Sequence, residues 1–462
     1  MTVEWTRLED CPGLGPDPVP AGTSDAKDRQ VAMRQGSVCA LMSAKGELTL
    51  CDSDGPLTAG MHVSGLGSPD RVYRSPALGV SSWDCPNGTI EQVVFLSSRP
   101  AAAIVQWRFV GTTPRSDGIS VHVTGALTPP GEGPFRIGED APATFAVWRP
   151  PADDRRRSML ERVLRDPDAL WRRWTTRRDS ALRVGGFGPI ADPVGFALAM
   201  LQGLEGERFW IGVREGMPVE GSSRDRALCS LALAAAGRFE EAAEVLPQTS
   251  GAPTVGAPPS ARDFLPHWTG VGDATVDPGD DPLVNFHLES VLVAPALQAR
   301  RSGDLALAEE LWMDLMSTSS RRGGWTRPGW NEHAGEAAAT VASFIYDFLG
   351  ARPDAGLGRL RLAPTFPAGV DHLIVDGLKV GRAALRFDYR HTSGRTTFVL
   401  QPLAGSFPLN VVLEPLVPTG LVSRVEVDGE LAEVGLESEG DRTRVRLQLP
   451  LETSREVVVH HG

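Results

Sequence analysis

The sequence predicts a multidomain protein of mixed α and β class, with a helical region over roughly residues 155–350 between two all-β regions. Three observations carry that prediction. Hydrophobic residues alternate in short runs up to about residue 150, recur at helical spacing from about 155 to 350, and return to strand-like alternation from about 358. Turn residues separate the short runs, whereas glycines and short polar links separate the helical ones. At 462 residues the chain has length for about three domains. The divisions drawn from these shifts are 1–150 for an N-terminal β-sandwich, 151–352 for the helical domain and 353–462 for a C-terminal β-sandwich.

Residues 1–30 are rich in Gly, Pro and Asp and carry no periodic pattern. The expected strands then run Ser37 to Met42, Glu47 to Cys51, Ile90 to Leu96, Ala103 to Phe109, Ile119 to Val123 and Phe145 to Trp148. Asp54-Gly55, Asn87-Gly88 and Asp117-Gly118 mark turns between them. Residues 153–179 are arginine-rich. Leu160, Val163 and Leu164 share a helical face there, as do Leu170, Trp171 and Trp174, with Pro167 as a break, so a linker helix with a solvated basic face is expected.

Within the helical region, Leu228, Leu231, Ala232 and Ala235 follow helical spacing, and Gly237 stops the helix. Residues 239–247 make a short partner. Val284, Leu288, Val291 and Leu292 share a face, and Pro295 either kinks that helix or displaces its start. Asp304 caps a helix whose face holds Ala308, Leu311, Trp312 and Leu315, and Gly350 ends one carrying Ala338, Val341, Ala342, Ile345 and Leu349. Residues 247–282 show no period and are expected to be irregular. Beyond 358, strands are expected at Leu373 to Val375, Ala384 to Tyr389, Thr396 to Leu400, Leu409 to Leu413, Val422 to Val427, Thr443 to Leu449 and Val457 to His460, with Asp428-Gly429 as a hairpin turn.

Bulk properties narrow the function. Net charge is −12 and the pI about 5.3, which argues against nucleic acid or an anionic membrane as partner. The N-terminus has neither basic nor apolar signal regions, and no run of about 18 apolar residues occurs, so a cytoplasmic protein is expected. Cys11, Cys39, Cys51, Cys85 and Cys229 are odd in number and without metal-ligand spacing, so they read as reduced thiols. No metal and no cofactor is expected. Oligomeric state is not legible.

Three stretches resemble the six-hairpin glycosidases, the glucoamylase-type enzymes with an (α/α)6 toroid flanked by β-sandwiches. They are ERFWIGVREGMPVEGSSRDRALCSLALAAAGRFEEAAEVL (207–246), DDPLVNFHLESVLVAPALQARRSGDLALAEELW (280–312) and GWNEHAGEAAATVASFIYDFLGARPDAGLGRLRLAPTFP (329–367). The first is similar to that family's aromatic loop, Arg-Asp pair and helical hairpin. The second is similar to its D-x-P-L hairpin, and the third to its last toroid helix with the exit to the C-terminal sandwich. The resemblance implies glycoside hydrolysis by two carboxyl groups, one acid and one base or nucleophile, on an oligosaccharide or glycoside substrate. It places Glu332, before the last helix, as general base, and Arg224-Asp225 at the pocket floor against the terminal sugar. Arg214-Glu215-Gly216 is a second candidate for that Arg-acid motif, and the resemblance does not decide between the two pairs.

Each of these residues also has a structural reading. Glu332 or Glu336 suits the start of a helix, and Asp225 suits the cap of helix 226–236. Asp281 and His287 are further candidates for the pocket. His287 and Glu289, two apart, point to different sides of a helix. Trp210, Trp268, Trp325 and Trp330 are expected in loops where rings stack on sugars, with His333 beside Trp330.

A full toroid needs twelve helices, and roughly 200 residues at ordinary helix lengths give about seven or eight. The expected toroid is therefore incomplete. The family's general-acid motif has no counterpart after Leu311-Trp312, which leaves Glu215 or Asp263 for that role. The alternative is a degenerate toroid that binds carbohydrate or a protein partner without catalysis. A polysaccharide lyase, which wants a tyrosine base, ranks behind both, since Tyr73, Tyr346 and Tyr389 lie outside the candidate loops.

Overall fold

The computed structural model describes residues 19–20, 31–35, 38–42, 47–52, 55–63, 69–75, 78–85, 88–98, 101–111, 119–125, 127–128, 135–137, 143–148, 154–165, 182–201, 204, 209–214, 217–246, 261–271, 277, 283, 293–322, 330–367, 369–405, 409–418, 422–439 and 442–461. It is a mixed α and β protein, β-rich at both ends with helices between. The eight α-helices among the described residues are α1 (Asp154–Arg165), α2 (Gly188–Met200), α3 (Ser223–Ala235), α4 (Phe239–Val245), α5 (Ala261–Thr269), α6 (Ala294–Arg301), α7 (Leu305–Arg322) and α8 (Ala334–Ser343). None of the described helices is long and apolar enough to cross a membrane.

The chain divides into two compact units. One comprises Met1–Asp179, Ala199–Gly221 and Arg322–His333, and the other Ser180–Leu198, Ser222–Arg321 and Ala334–Gly462.

Two large sheets of the first unit form its N-terminal β region. Seven strands lie in the order Val19–Pro20, Arg71–Ser75, Leu78–Cys85, Gly88–Ser98, Ala101–Gly111, Ala143–Trp148, Leu127–Thr128. Six lie in the order Phe135–Ile137, Ile119–Gly125, Gly55–Val63, Glu47–Asp52, Val38–Met42, Val31–Gln35. Side-chain alternation explains the core. Met33, Val38, Ala40, Met42, Leu48 and Leu50 of the six-stranded sheet pack with Trp83, Ile90, Val94, Val105 and Trp107 of the other. The two indoles stack with centroids 5.3 Å apart. On α1, Leu160 is buried while Arg155, Glu161 and Arg162 are exposed, which fits the solvated face expected there.

Several helices of the second unit start or stop at residues marked in the sequence. Ser222 caps α3 and Gly237, at φ +74°, follows its end. The Asp304 carboxylate accepts the Leu307 N–H at 3.1 Å at the head of α7. Helix α6 starts at Ala294 with Pro295 in its first turn, where a proline is tolerated, and residues 284–292 of the expected helix lie outside the described residues. Helix α8 is buried on every side, runs on into a π-helical turn at Phe344–Phe348 and ends before Gly350. That glycine has φ +62°, and a Cβ there would run into the Ala363 carbonyl. Helix α2 and helix α5 lie where no helix was expected.

The C-terminal strands of this unit form a sheet ordered Arg183–Gly186, His372–Val380, Ala383–Thr392, Arg395–Ala404, Arg455–His461, Val422–Val427, Glu430–Leu431. A second is ordered Arg352–Asp354, Arg359–Leu362, Leu409–Leu413, Arg442–Leu451, Leu416–Pro418. Asp428 and Gly429 both have positive φ, as a two-residue hairpin turn needs. Phe366, Phe387, Tyr389 and Phe398 make the aromatic core, and burial pushes the Tyr389 hydroxyl far above its usual pKa. Glu309 of α7 takes both Nη groups of Arg442 at 2.6 and 2.9 Å, which ties that helix to a C-terminal strand.

At one end of the seven-stranded C-terminal sheet, the Thr396 hydroxyl lies 2.9 Å from both His391 Nδ1 and His461 Nε2, and the two rings stack. Burial holds both imidazoles below 6.5, and for His461 the neighbouring His391 and His460 add to the effect. The unfolded chain, titrating near 6.5, therefore binds more protons than the native state once pH falls below that value. Stability is expected to drop as pH falls from about 7.5 to about 5.5. Thermal unfolding of wild type and of a His391→Gln, His461→Gln double variant measures it: the double variant should show the shallower slope.

Candidate functional site

Two of the candidate segments, far apart in the chain, lie on adjacent strands. A three-stranded antiparallel sheet in the first unit has the order Met217–Glu220, Trp210–Arg214, Trp330–His333. Arg214 pairs with Met217 across a two-residue link, Glu215-Gly216, a composition suited to a tight hairpin. On the other side Gly212 pairs with His333, Val213 with Glu332 and Arg214 with Trp330, with an irregularity between Val213 and Arg214. Arg214, the first residue of the Arg-Glu-Gly motif, thus adjoins the Trp-Asn-Glu-His motif through backbone pairing. Such irregularities re-aim side chains.

The central strand is anchored from below. Trp210 packs with Cys39, Leu41 and Cys51, the outward-facing residues of the six-stranded sheet, and Phe209 and Ile211 are also buried. Gly221 closes against Phe209 and Ile211, and its N–H donates to the Phe209 carbonyl at 2.8 Å. Cys39 and Cys51 are direct cross-strand partners beneath the indole, although their positions in sequence show no pairing.

Trp210 and Trp330 are therefore on strands rather than in loops. Trp268 needs the larger correction. It lies on α5, 1% exposed, and its Nε1–H donates to the Tyr346 hydroxyl at 2.5 Å. Its ring is core, edge-on to Tyr346 with centroids 6.0 Å apart. His333 is buried on its strand, and Glu336 is buried in the first turn of α8.

Asp225 has a definite structural part. Its carboxylate accepts the Ser222 N–H at 2.9 Å and the Ser222 hydroxyl at 2.6 Å, and Ser222 Oγ accepts the Asp225 N–H at 3.3 Å. This is a capping box on α3, while Arg224 beside it is exposed. Ser222→Ala is expected to cost about 0.5–2 kcal/mol, read from chemical denaturation. An unchanged midpoint would mean that the box does not stabilise the helix. Glu215, Asp281, His287, Glu289 and Trp325 lie outside the described residues. No group of three His, Cys, Asp or Glu placed to hold a metal occurs among the described residues.

No protein-family model matches the chain, and no curated protein matches it. Among solved structures it is similar to that of Streptomyces avermitilis alpha-L-rhamnosidase complexed with L-rhamnose, at 12% identity and a TM-score of 0.26, over 58% of this chain and 31% of that one. The chain thus spans about a third of the length of that structure. A likeness this loose carries no argument about mechanism.

Proposed function

We propose that the chain is a carbohydrate-active protein of the glycoside hydrolase kind, acting on an oligosaccharide or glycoside with Glu332 and Glu215 as its paired carboxylates. The observation that supports this reading is the strand pairing of Val213 with Glu332 and Arg214 with Trp330, which draws together two motifs that resemble separate parts of a glucoamylase-type site. Glu332 is the base and Glu215, next in the chain after Arg214, is the acid. Trp330 and Arg214 supply sugar contacts, and Asp281 and His287 stay candidates for the same pocket. Asp225 supports α3 in this reading, and its place at the sugar is secondary.

Paired carboxylates are the minimum that hydrolysis needs. Their separation sets the outcome, about 5–5.5 Å for retention and about 6.5–9.5 Å for inversion. A screen of aryl glycosides covering α- and β-linked hexoses and deoxyhexoses tests the proposal through release of the aryl alcohol. Release from at least one is expected. Saturable sugar binding with no release from any would instead favour the non-catalytic reading, in which the incomplete toroid only binds.

A further inference from the structure

The outer face of the seven-stranded C-terminal sheet carries an arginine-lined cleft that is separate from the proposed hydrolytic residues. Arg386, Asp388, Arg390, Val399 and Gln401 line a space of about 320 Å³. That is at the lower end for small-molecule sites and suits a ligand of monosaccharide size. The strand Ala383–Thr392 sends Leu385, Phe387 and Tyr389 into the core, so Arg386, Asp388 and Arg390 stand on the outside.

Asp388 is already committed. Arg390 donates to it twice, Nε to Oδ1 at 3.1 Å and Nη2 to Oδ2 at 3.0 Å, and His372 Nε2 lies 3.5 Å from Oδ1. Its side chain is only 7% exposed. The Arg386 guanidinium is left 4.0 Å from Oδ2, beyond hydrogen-bonding distance, and its side chain makes no hydrogen bond to another described residue. Its neighbour across the strand pair is the exposed Gln401, and the half-buried Val399 lies between Gln401 and Arg390's partner Thr397.

Glu456, exposed and paired with Val399 on the next strand, offsets part of the positive charge. Recognition would therefore come from Arg386's uncommitted donors rather than from net charge. A guanidinium offers a planar fork of N–H groups that matches a carboxylate or phosphate. We propose that this cleft binds a small oxyanion, held by Arg386 and by the Nη1 of Arg390 that is not bonded to Asp388, with the Gln401 amide on the adjoining polar group and Val399 as the floor.

Calorimetric titration of the full chain with inorganic phosphate, glucuronate and glucose tests it. Saturable binding of phosphate or glucuronate is expected at a Kd on the order of 1 mM, with glucose inert. The anion that binds tells a phosphorylated ligand from a sugar acid. Arg386→Gln should weaken that binding about tenfold or more and leave the thermal midpoint unchanged, because the side chain has no hydrogen bond to lose. Gln401→Ala should weaken it several-fold. No saturable binding of either anion, equal binding of glucose, or binding undiminished in Arg386→Gln would overturn the proposal.

Discussion

Replacing Glu332 by glutamine is expected to lower turnover of the best aryl glycoside by about 10²–10⁴-fold, which is about 3–5 kcal/mol of barrier. Glutamine keeps the size and shape of the side chain and removes only the proton-accepting oxygen. The strand Trp330–His333 is held by backbone pairing to Gly212, Val213 and Arg214 and by the buried His333, neither of which needs the carboxylate. The variant should therefore keep the wild-type unfolding midpoint. Its KM should also change little, because the loss falls on the transition state. Steady-state kinetics with a parallel thermal melt separates the cases. Wild-type turnover in a folded Glu332→Gln variant would remove Glu332 from the mechanism.

Trp268→Ala should produce the largest loss of stability, about 3–5 kcal/mol. The indole is among the largest fully buried side chains, and its N–H is bonded to the Tyr346 hydroxyl. Alanine would leave a cavity between α5 and the π-helical turn after α8, with a buried phenol short of a partner. Trp268→Phe keeps most of the volume and loses the hydrogen bond, so about 1–3 kcal/mol is expected. Urea denaturation followed by circular dichroism reads both. A Trp268→Ala shift below about 1 kcal/mol would show that the ring is not core and would reopen its place in a sugar site.

The contrast between these two residues shows what a single sequence carries. The sandwich strands are legible because alternation is local, and because Asn87-Gly88 and Asp428-Gly429 mark turns without reference to the rest of the fold. Helices α3, α7 and α8 are legible from Gly237, Asp304 and Gly350 at their ends. Helix α2 is not, because Pro189 and Pro193 lie within it and its buried residues run all round, from Ile190 and Val194 to Phe196, Ala197 and Leu198. Helix α5 is hidden by Pro266 and by the glycine- and proline-rich sequence before it, and so Trp268 reads as a loop residue.

The candidate site is legible in its parts only. The Trp-Asn-Glu-His and Arg-Glu-Gly motifs stand out individually, but a strand pairing between segments so far apart has no local signature. A hairpin at Trp210–Glu220 could have been found from the aromatic and β-branched run broken by Glu215-Gly216. Asp225 shows the reverse. Asp225 reads from sequence as the helix cap, and the structure gives the cap to Ser222 with Asp225 as its reciprocal partner at the third helical position.

The pH dependence of kcat/KM on a cleaved aryl glycoside tests the central claim most directly, for wild type and for Glu215→Gln. Two carboxyl groups in opposite protonation states give a bell-shaped profile for wild type. Removing Glu215 should abolish its alkaline limb, where the acid loses its proton, and leave the acidic limb set by Glu332. The same bell in wild type and Glu215→Gln would contradict the paired-carboxylate account.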